Sequence, residues 1–258
     1  MNNIKVKVLN PEAVAEAEKM MVCAARLTQR GEKIKDIDDF MQLYNKGYTT
    51  ETVKNMAQLP HNTIRQFNMI NVVVIGASRR FLAQITRRRV GVTFTSASLQ
   101  YSDYSDDADF VVPYEIMEQG QEYVSAYLKH CAEMMAVYKH IIADGVENDT
   151  AGYVAPQSLA NVLIIGATPQ AWIEMISQRA CMRNTKETQY VMLRIWEQLF
   201  ALNPIMFSTE VAGPDCIRTH CKEGHFECNK DFILGCEEST PSEFINVLFP
   251  LLTEQSEL

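Results

Sequence analysis

The chain has 258 residues, 47% of them hydrophobic and 22% charged, and a formal net charge of −8 at pH 7. This length allows one large domain or two small ones, and the acidic balance argues against general binding to nucleic acid or to a membrane surface. The sequence shows no secretory signal and no apolar run of about 20 residues, so we expect a soluble, cytoplasmic protein. Its seven cysteines then predict reduced thiols or a metal site rather than a disulfide framework.

Helical patterns dominate the N-terminal part of the chain. The segment after Pro11 predicts a helix that ends near Gly31, because proline suits the first turn of a helix and glycine follows the last. Two shorter helices are predicted at 36–47 and 49–59.

The next two predicted elements are a strand and a helix. Residues 67–77 are rich in β-branched side chains and predict a strand. A helix follows over 78–89, with Ser78 as its N-cap and three arginines at its end.

The second half repeats this alternation with longer helices. A long helix is predicted at 119–144, an apolar strand at 158–167, and two helices at 168–183 and 185–202. Beyond Ala212 the composition shifts to Gly, Pro, Cys and His, and a short helix closes the chain. We therefore expect a helix-rich α+β fold with few strands.

Three consecutive arginines stand out in this acidic chain. Arg87, Arg88 and Arg89 precede a run of small hydroxyl residues: Thr93, Thr95, Ser96 and Ser98. One interpretation is a solvated helix end that the helix dipole favours. The other is a phosphate clamp, because guanidinium groups bind phosphate oxygens bidentately and keep their charge when desolvated. The triplet alone does not choose between them.

The surroundings of the triplet favour the clamp. The stretch "SRRFLAQITRRRVGVTFTSASLQYSD" resembles the signature of the flavin-dependent thymidylate synthases, in which an Arg-His-Arg triplet follows an "SR…Q" helix and precedes a serine-containing loop. The similarity continues in order, with "LPHNT" upstream and "DTAGYVAPQSLANVLIIGATPQAWIEMISQRACMRNTKET" downstream. It covers roughly residues 55–205.

The resemblance implies a methyltransferase that converts dUMP to dTMP by FAD-dependent reductive methylation. Methylenetetrahydrofolate is the implied carbon donor and NADPH the implied reductant, and the flavin and folate carry the difficult chemistry. It also implies a helix-rich single domain with a small central antiparallel or mixed sheet, assembled as a homotetramer whose subunits share the flavin site. We place this domain at residues 1–210 and a Cys-rich loop with a C-terminal helix, packed on it, at 211–258.

Motif positions assign the candidate site residues. The implied cofactor-binding residues are His61, Thr63, Arg87, Arg88, Arg89 and Arg183. The implied substrate-binding residues are Gln84, Ser96, Ser98, Gln100 and Arg179. Of these, Arg179 and Ser98 are the implied catalytic residues. We expect Ser98 to donate a hydrogen bond to phosphate or base, because a serine nucleophile needs an adjacent base and none can be placed beside it.

Several family side chains are replaced. Arg88 stands where the family has histidine, and the other replacements are Ser96 for a glutamate, Gln100 and Gly152 for arginines, and Thr168 and Gln170 for the asparagine and arginine that grip the flavin. Each lost charge-assisted contact is worth roughly 1.5–3 kcal/mol. Arg88, Arg183 and Arg194 are candidate compensators.

These replacements leave two alternatives open. The first is an enzyme of the same scaffold with a changed pyrimidine nucleotide or a hydroxymethylating outcome. The second is a catalytically silent paralogue that binds nucleotide or completes a partner's site.

The tail "GPDCIRTHCKEGHFECNK" is a candidate metal site. Cys216, Cys221 and Cys228 are the candidate zinc ligands, with Cys181 as the fourth and Cys236 as an alternative. The spacings between these cysteines differ from those of a standard zinc ribbon, so a reduced loop with packed thiols is the competing interpretation.

Overall fold

A four-stranded sheet lies at the centre of the fold. The computed structural model describes residue 1 and residues 3–228 and 239–253. The strands are β1 (Lys5–Val8), β2 (Ile70–Ser78), β3 (Val92–Ser96) and β4 (Ala160–Ala167), in the order β1-β2-β4-β3. Every neighbouring pair is antiparallel, and Val72 of β2 faces Ile165 of β4 at the middle of the sheet. The prediction of a small central sheet is confirmed, and the sheet is antiparallel.

The long predicted helices are all present, with bounds close to those expected. The first part of the chain forms α1 (Glu12–Arg30), α2 (Ile37–Tyr44), α3 (Thr50–Ala57) and α4 (Arg79–Ile85). The middle forms α5 (Tyr114–Glu118), α6 (Gln121–Ala143), α7 (Asn148–Ala151), α8 (Pro169–Arg179) and α9 (Lys186–Leu202). The last part forms α10 (Thr209–Ala212), α11 (Asp215–Arg218), α12 (Pro241–Leu248) and α13 (Pro250–Thr253). Short 3-10 turns lie at Gly31–Lys33, Asn62–Arg65, Gly152–Val154 and Gly224–Phe226. No described helix is both long enough and apolar enough to cross a bilayer.

Side-chain caps fix where several helices begin. The hydroxyl groups of Thr49, Ser78, Thr168 and Thr185 accept hydrogen bonds from backbone N–H groups in the first turns of α3, α4, α8 and α9. Each such cap stabilises its helix by about 1 kcal/mol, because it satisfies a donor that has no partner inside the helix. The predicted Ser78 cap is confirmed, and it fixes the junction between β2 and α4.

Helices α8 and α9 fill the core beside the sheet. Trp172 and Trp196 are fully buried, and their indole N–H groups donate to the carbonyl oxygens of Ile70 (3.0 Å) and Phe207 (2.7 Å). Helix α12 packs on α9, with the ring of Phe244 5.5 Å from that of Trp196. Helix α12 thus contributes to this core. The division into a domain at residues 1–210 and a segment at 211–258 stays a prediction.

Candidate functional site

The arginine triplet lies in the turn between α4 and β3. Helix α4 ends at Ile85, four residues before the predicted end at residue 89, so the helical geometry that would point Arg87 and Arg89 about 200° apart does not apply to them. The turn is anchored to the start of α8, where the Thr168 N–H donates to the Gly91 carbonyl oxygen at 3.1 Å. Arg87 and Arg89 are exposed, whereas Arg88 is partly buried. The three arginines therefore occupy different environments.

Arg88 is turned toward the protein and pairs with Glu174 of α8. The other Glu174 oxygen accepts a hydrogen bond from the Gln170 side-chain amide at 2.8 Å. The Arg88 Nε atom is buried and has no hydrogen-bond partner among the described residues. An unsatisfied buried donor is costly, and the Arg88 Nε–H is a donor of this kind.

Arg65 extends this polar chain to the segment that contains His61 and Thr63. Its Nε donates to Gln170 Oε1 at 2.7 Å, and its two terminal nitrogens donate to the Ala57 carbonyl at 2.5 Å and to Asn62 Oδ1 at 3.1 Å. Arg65 is buried, and this burial, followed by the charge of Arg218, lowers its pKa.

This network connects predicted site segments that are distant in sequence. His61 and Thr63 are exposed on the segment that Arg65 holds, and Arg88 lies at the other end of the chain of contacts. Gln170, which stands where the family has an arginine, is held between Arg65 and Glu174. An arginine at position 170 would put a second guanidinium group beside that of Arg65. Here the neutral Gln170 side chain accepts a hydrogen bond from Arg65 instead.

Arg179, at the end of α8, reaches the other side of the triplet. Its terminal nitrogens donate to Asn184 Oδ1 and to the Gln84 carbonyl oxygen, both at 3.2 Å. Burial, followed by the positive charge of Arg87, lowers the pKa of Arg179. No carboxylate in the described ranges forms an ion pair with Arg87 or Arg179. The structure thus gathers Gln84, Arg87 and Arg179 into one region with excess positive charge.

The hydroxyl loop after β3 is ordered by its own contacts. Ser96 ends β3, and Ser98 Oγ accepts a hydrogen bond from the Gln100 N–H at 3.1 Å. Within the described part of the chain, no hydrogen bond joins this loop to Arg179 or to the triplet. A side chain at Gly152 would meet Leu99 at 3.1 Å, so this loop occupies space into which a longer residue at 152 would extend.

The predicted Cys181, Cys216, Cys221 and Cys228 site is only partly as expected. All four cysteines line one cavity of about 160 Å³, together with Arg183. However, no group of three or more His, Cys, Asp or Glu side chains among the described residues is placed to hold a metal ion. A zinc ion held by these cysteines is therefore not supported. Cys236 lies outside the described residues.

Arg183 lies over an aromatic ring. Its guanidinium lies 4.9 Å from the centre of the Phe226 ring, at the edge of the cysteine cavity. Its predicted contact with the flavin stays a prediction.

The fold, and the order of motifs along it, define the class of this protein. A family model described as thymidylate synthase complementing protein matches residues 12–205. The chain therefore belongs to this family, and it is an enzyme of the flavin-dependent thymidylate synthase type. The resemblance seen in the sequence is confirmed.

The similar proteins are distant ones. The chain is 22% identical over 197 residues to the flavin-dependent thymidylate synthase of Geobacter sulfurreducens, a match that spans 75% of this chain and 82% of that protein. It is 25% identical over 170 residues to the Pyrococcus furiosus flavin-dependent thymidylate synthase, spanning 63% of this chain and 68% of that protein.

A solved structure shares the fold. The UMP/dUMP methylase PolB from Streptomyces cacaoi, bound with 5-Br dUMP, superposes with a TM-score of 0.64 at 15% identity. The superposition covers 81% of this chain and 95% of that one.

Proposed function

We propose that this protein converts dUMP to dTMP by FAD-dependent reductive methylation, with methylenetetrahydrofolate as the carbon donor and NADPH as the reductant. Membership in the family supports the reaction class, and the fold shared with a UMP/dUMP methylase supports a pyrimidine nucleotide as substrate. These substrates also fit a cytoplasmic location.

The observation that carries the proposal is that Arg179 donates to the carbonyl oxygen of Gln84, three residues before Arg87, and that neither arginine forms an ion pair with a carboxylate in the described chain, while the charge of Arg87 contributes to the lowered pKa of Arg179. Like charges in proximity destabilise each other, and this cost is relieved when an anion binds between them. A nucleotide phosphate supplies such a charge, and arginine is the side chain best suited to hold it. Arg179 also stabilises negative charge that develops on the pyrimidine ring, an electrostatic role that requires no proton transfer.

The residues of the triplet turn fit the phosphates of FAD. Arg87 and Arg89 are exposed cations, whereas Arg88 is paired with Glu174. Arg87 and Arg89 would hold the flavin phosphates, with His61 and Thr63 beside them, and Arg88, also predicted to bind the cofactor, would position them. When bound, the reduced flavin supplies the hydride of the reaction. The protein contributes orientation and charge, and Ser98 donates a hydrogen bond to the nucleotide without adding charge.

Arg179→Ala tests the nucleotide site. We expect nucleotide binding to weaken by roughly 2–4 kcal/mol, which is about 30- to 700-fold in the dissociation constant. Arg30→Ala is the control, because Arg30 is an exposed arginine in the last turn of α1 and belongs to none of the predicted site segments. Titration of dUMP into the FAD-loaded protein, with chromatography of dTMP formed in the presence of folate and NADPH, measures both effects. Equal affinity in the two variants would contradict the assignment of Arg179.

A homotetramer is part of the proposal, because the family's flavin site is shared between subunits. Light scattering should give about four times the 29.3 kDa of one chain. A monomer that forms dTMP at full rate would contradict the shared site.

A second candidate is the same scaffold acting on a different pyrimidine nucleotide. The position of Leu99 favours it, because a Cβ added at Gly152, where the family has an arginine, would lie 3.1 Å from the Leu99 side chain. Parallel assays with dUMP and UMP, followed by mass analysis for a methyl or a hydroxymethyl product, separate the candidates. A colourless protein that does not take up FAD and forms no product would instead be the silent paralogue, which binds nucleotide or completes a partner's site.

A further inference from the structure

A cleft of about 410 Å³ lies between the end of α3 and the short helices α10 and α11. Arg65, from the 3-10 turn at Asn62–Arg65, and Arg218, at the end of α11, both line it. A water molecule needs roughly 10–15 Å³ of cavity, so the cleft can hold a much larger group. The arginine triplet and Arg179 do not line this cleft. It is therefore a separate place where two arginines come together.

One edge of the Arg218 guanidinium group has no acceptor among the described residues. The Arg218 Nη1 donates to Ser177 Oγ at 2.6 Å and lies 3.6 Å from Asp215 Oδ1. Asp215 is shared, because its other oxygen pairs with Lys222 Nζ at 2.9 Å. The Arg218 Nε is buried, and no described residue accepts a hydrogen bond from it or from Nη2. Nε and Nη2 together form the fork that binds two oxygens of one anion.

Arg65 is buried and is held by neutral acceptors. It is 6% exposed, and its Nη1 donates to the carbonyl oxygen of Ala57 at 2.5 Å. Burial, followed by the charge of Arg218, lowers the pKa of Arg65. The charge of Glu174 acts in the opposite direction, but Glu174 already pairs with Arg88. The two arginines of the cleft thus repel each other, and an anion bound between them would relieve that cost.

Glu210 is the carboxylate among the residues that line the cleft. It is exposed, and its Oε2 accepts a hydrogen bond from the Gln58 side-chain amide at 2.8 Å. Solvent screens an exposed charge more strongly than a buried one, so Glu210 offsets Arg65 and Arg218 only in part. The cleft therefore has an excess of positive charge.

We propose that this cleft binds an oxyanion of the phosphate class between Arg65 and Arg218. Guanidinium groups hold phosphate oxygens bidentately and keep their charge when partly desolvated. Arg218 lies outside residues 12–205, which the family model matches. The inference goes beyond the proposed methylation and does not depend on it.

Calorimetric titration of inorganic pyrophosphate into the full-length protein tests the proposal. We expect saturable binding that persists when the nucleotide site is filled with dUMP. Arg218→Gln removes the charged fork and keeps a polar side chain, so the affinity should fall by at least about tenfold, as for the loss of one charge-assisted hydrogen bond. Arg30→Ala, which changes an exposed arginine of α1, should bind like the wild type. A wild type that binds no pyrophosphate, or a folded Arg218→Gln variant with wild-type affinity, would overturn the proposal.

Glu210→Gln should change the affinity in the opposite direction. Glutamine keeps an oxygen for the Gln58 amide and removes the negative charge, so pyrophosphate should bind about two- to fivefold more tightly. If circular dichroism shows that Arg218→Gln has lost its fold, this variant decides, and unchanged affinity in it would overturn the proposal.

Arg179→Ala separates the cleft from the proposed nucleotide site. We expect this variant to keep its affinity for pyrophosphate whatever its affinity for dUMP, so failure of one site leaves the other intact. Pyrophosphate binding that falls in Arg179→Ala and not in Arg218→Gln would place the anion at the nucleotide site and overturn the proposal.

Titration of ADP beside pyrophosphate identifies the source of the phosphate. Leu59, Pro60 and Val211 also line the cleft and provide apolar surface for an organic group attached to the phosphate. Tighter binding of ADP, lost in Arg218→Gln, would assign the cleft to a phosphate ester. Pyrophosphate that binds at least as tightly as ADP would assign it to a free inorganic anion. Both results support a phosphate site, and ADP affinity that is equal in the wild type and Arg218→Gln would place ADP elsewhere.

Discussion

Replacement of Glu187 tests how the fold accommodates a buried carboxyl group at the start of α4. Glu187 lies in the first turn of α9 and is 8% exposed. Its two oxygens accept hydrogen bonds from the Ser78 backbone N–H at 2.6 Å and the Ser78 hydroxyl at 2.5 Å. Burial raises the pKa of Glu187, although the Ser78 hydrogen bonds and the Met1 ammonium group act in the opposite direction.

The two informative substitutions are Glu187→Ala and Glu187→Gln. Alanine leaves both Ser78 donors without an acceptor, and each unsatisfied buried donor costs about 1–3 kcal/mol, so the free energy of unfolding should fall by about 2–5 kcal/mol. Glutamine keeps one oxygen for the Ser78 N–H and can donate its amide to the Ser78 hydroxyl oxygen, so that only the hydroxyl proton loses its acceptor. At neutral pH we expect Glu187→Gln to cost about 1–3 kcal/mol, less than Glu187→Ala.

The pH dependence has a definite sign. A carboxyl group whose pKa is raised on folding stabilises the native state fully below the unfolded pKa, near 4.5. That contribution is lost as the pH rises from there through the folded pKa, because the unfolded chain binds fewer protons in this window. The Gln variant does not titrate, so its stability relative to the wild type should increase as the pH rises.

Urea denaturation across the pH range from about 4.5 to 8 measures this difference. Protein concentration is held fixed, because assembly makes apparent stability concentration-dependent. If Glu187→Gln lost as much stability as Glu187→Ala at every pH, the native state would require the charged carboxylate. The argument from burial would then be refuted.

Two further predictions concern backbone strain and the Arg88 contact. Gly76→Ala should lower the free energy of unfolding by about 1–3 kcal/mol, because Gly76 has φ +80° and a Cβ there would lie 2.8 Å from the Asn3 carbonyl oxygen. Gly47→Ala is the control, because the space around Gly47 is open. Equal effects of the two substitutions in denaturant unfolding would contradict the strain at Gly76. In a double-mutant cycle, Glu174→Ala and Arg88→Ala should show a coupling free energy of about 0.5–3 kcal/mol in unfolding, because the two side chains pair in a partly buried site. Additive effects on the free energy of unfolding would mean that the ion pair does not contribute to stability.

The helices could be predicted from the sequence because their determinants are local. The residues that begin α3 and α4 are hydroxyl side chains directly before a helical pattern, and their caps form as expected. Pro11 and Gly31 likewise stand at the two ends of α1. These signals act within one or two turns of the chain, so no tertiary information was needed.

The strands β1 and β3 were not predicted. They have four and five residues, too few for an alternating pattern to differ from that of a loop. They lie at the two edges of the sheet, where β2 and β4 supply the hydrogen-bonding partners. The hydroxyl run after the triplet is consequently half strand and half loop, and Ser96 and Ser98 fall on different sides of that division.

The residues that position the triplet were also missed. Arg65 is one arginine beside an apolar residue and has no motif of its own. Its importance comes from Gln170, 105 positions away in sequence. A family alignment treats Gln170 as a lost arginine, whereas the structure shows a hydrogen-bonded amide between Arg65 and Glu174.

The triplet shows how tertiary contacts give different roles to identical neighbouring residues. Glu174, 86 positions away from Arg88, holds that guanidinium against α8 and fixes the turn. Arg87 and Arg89 then remain at the surface, and Arg87 lies close enough to Arg179 to lower its pKa. Because one arginine is already paired with a carboxylate, the positive charge available to a phosphate comes from the outer two and from Arg179. We therefore expect the central position, where the family has histidine, to act mainly by positioning its neighbours.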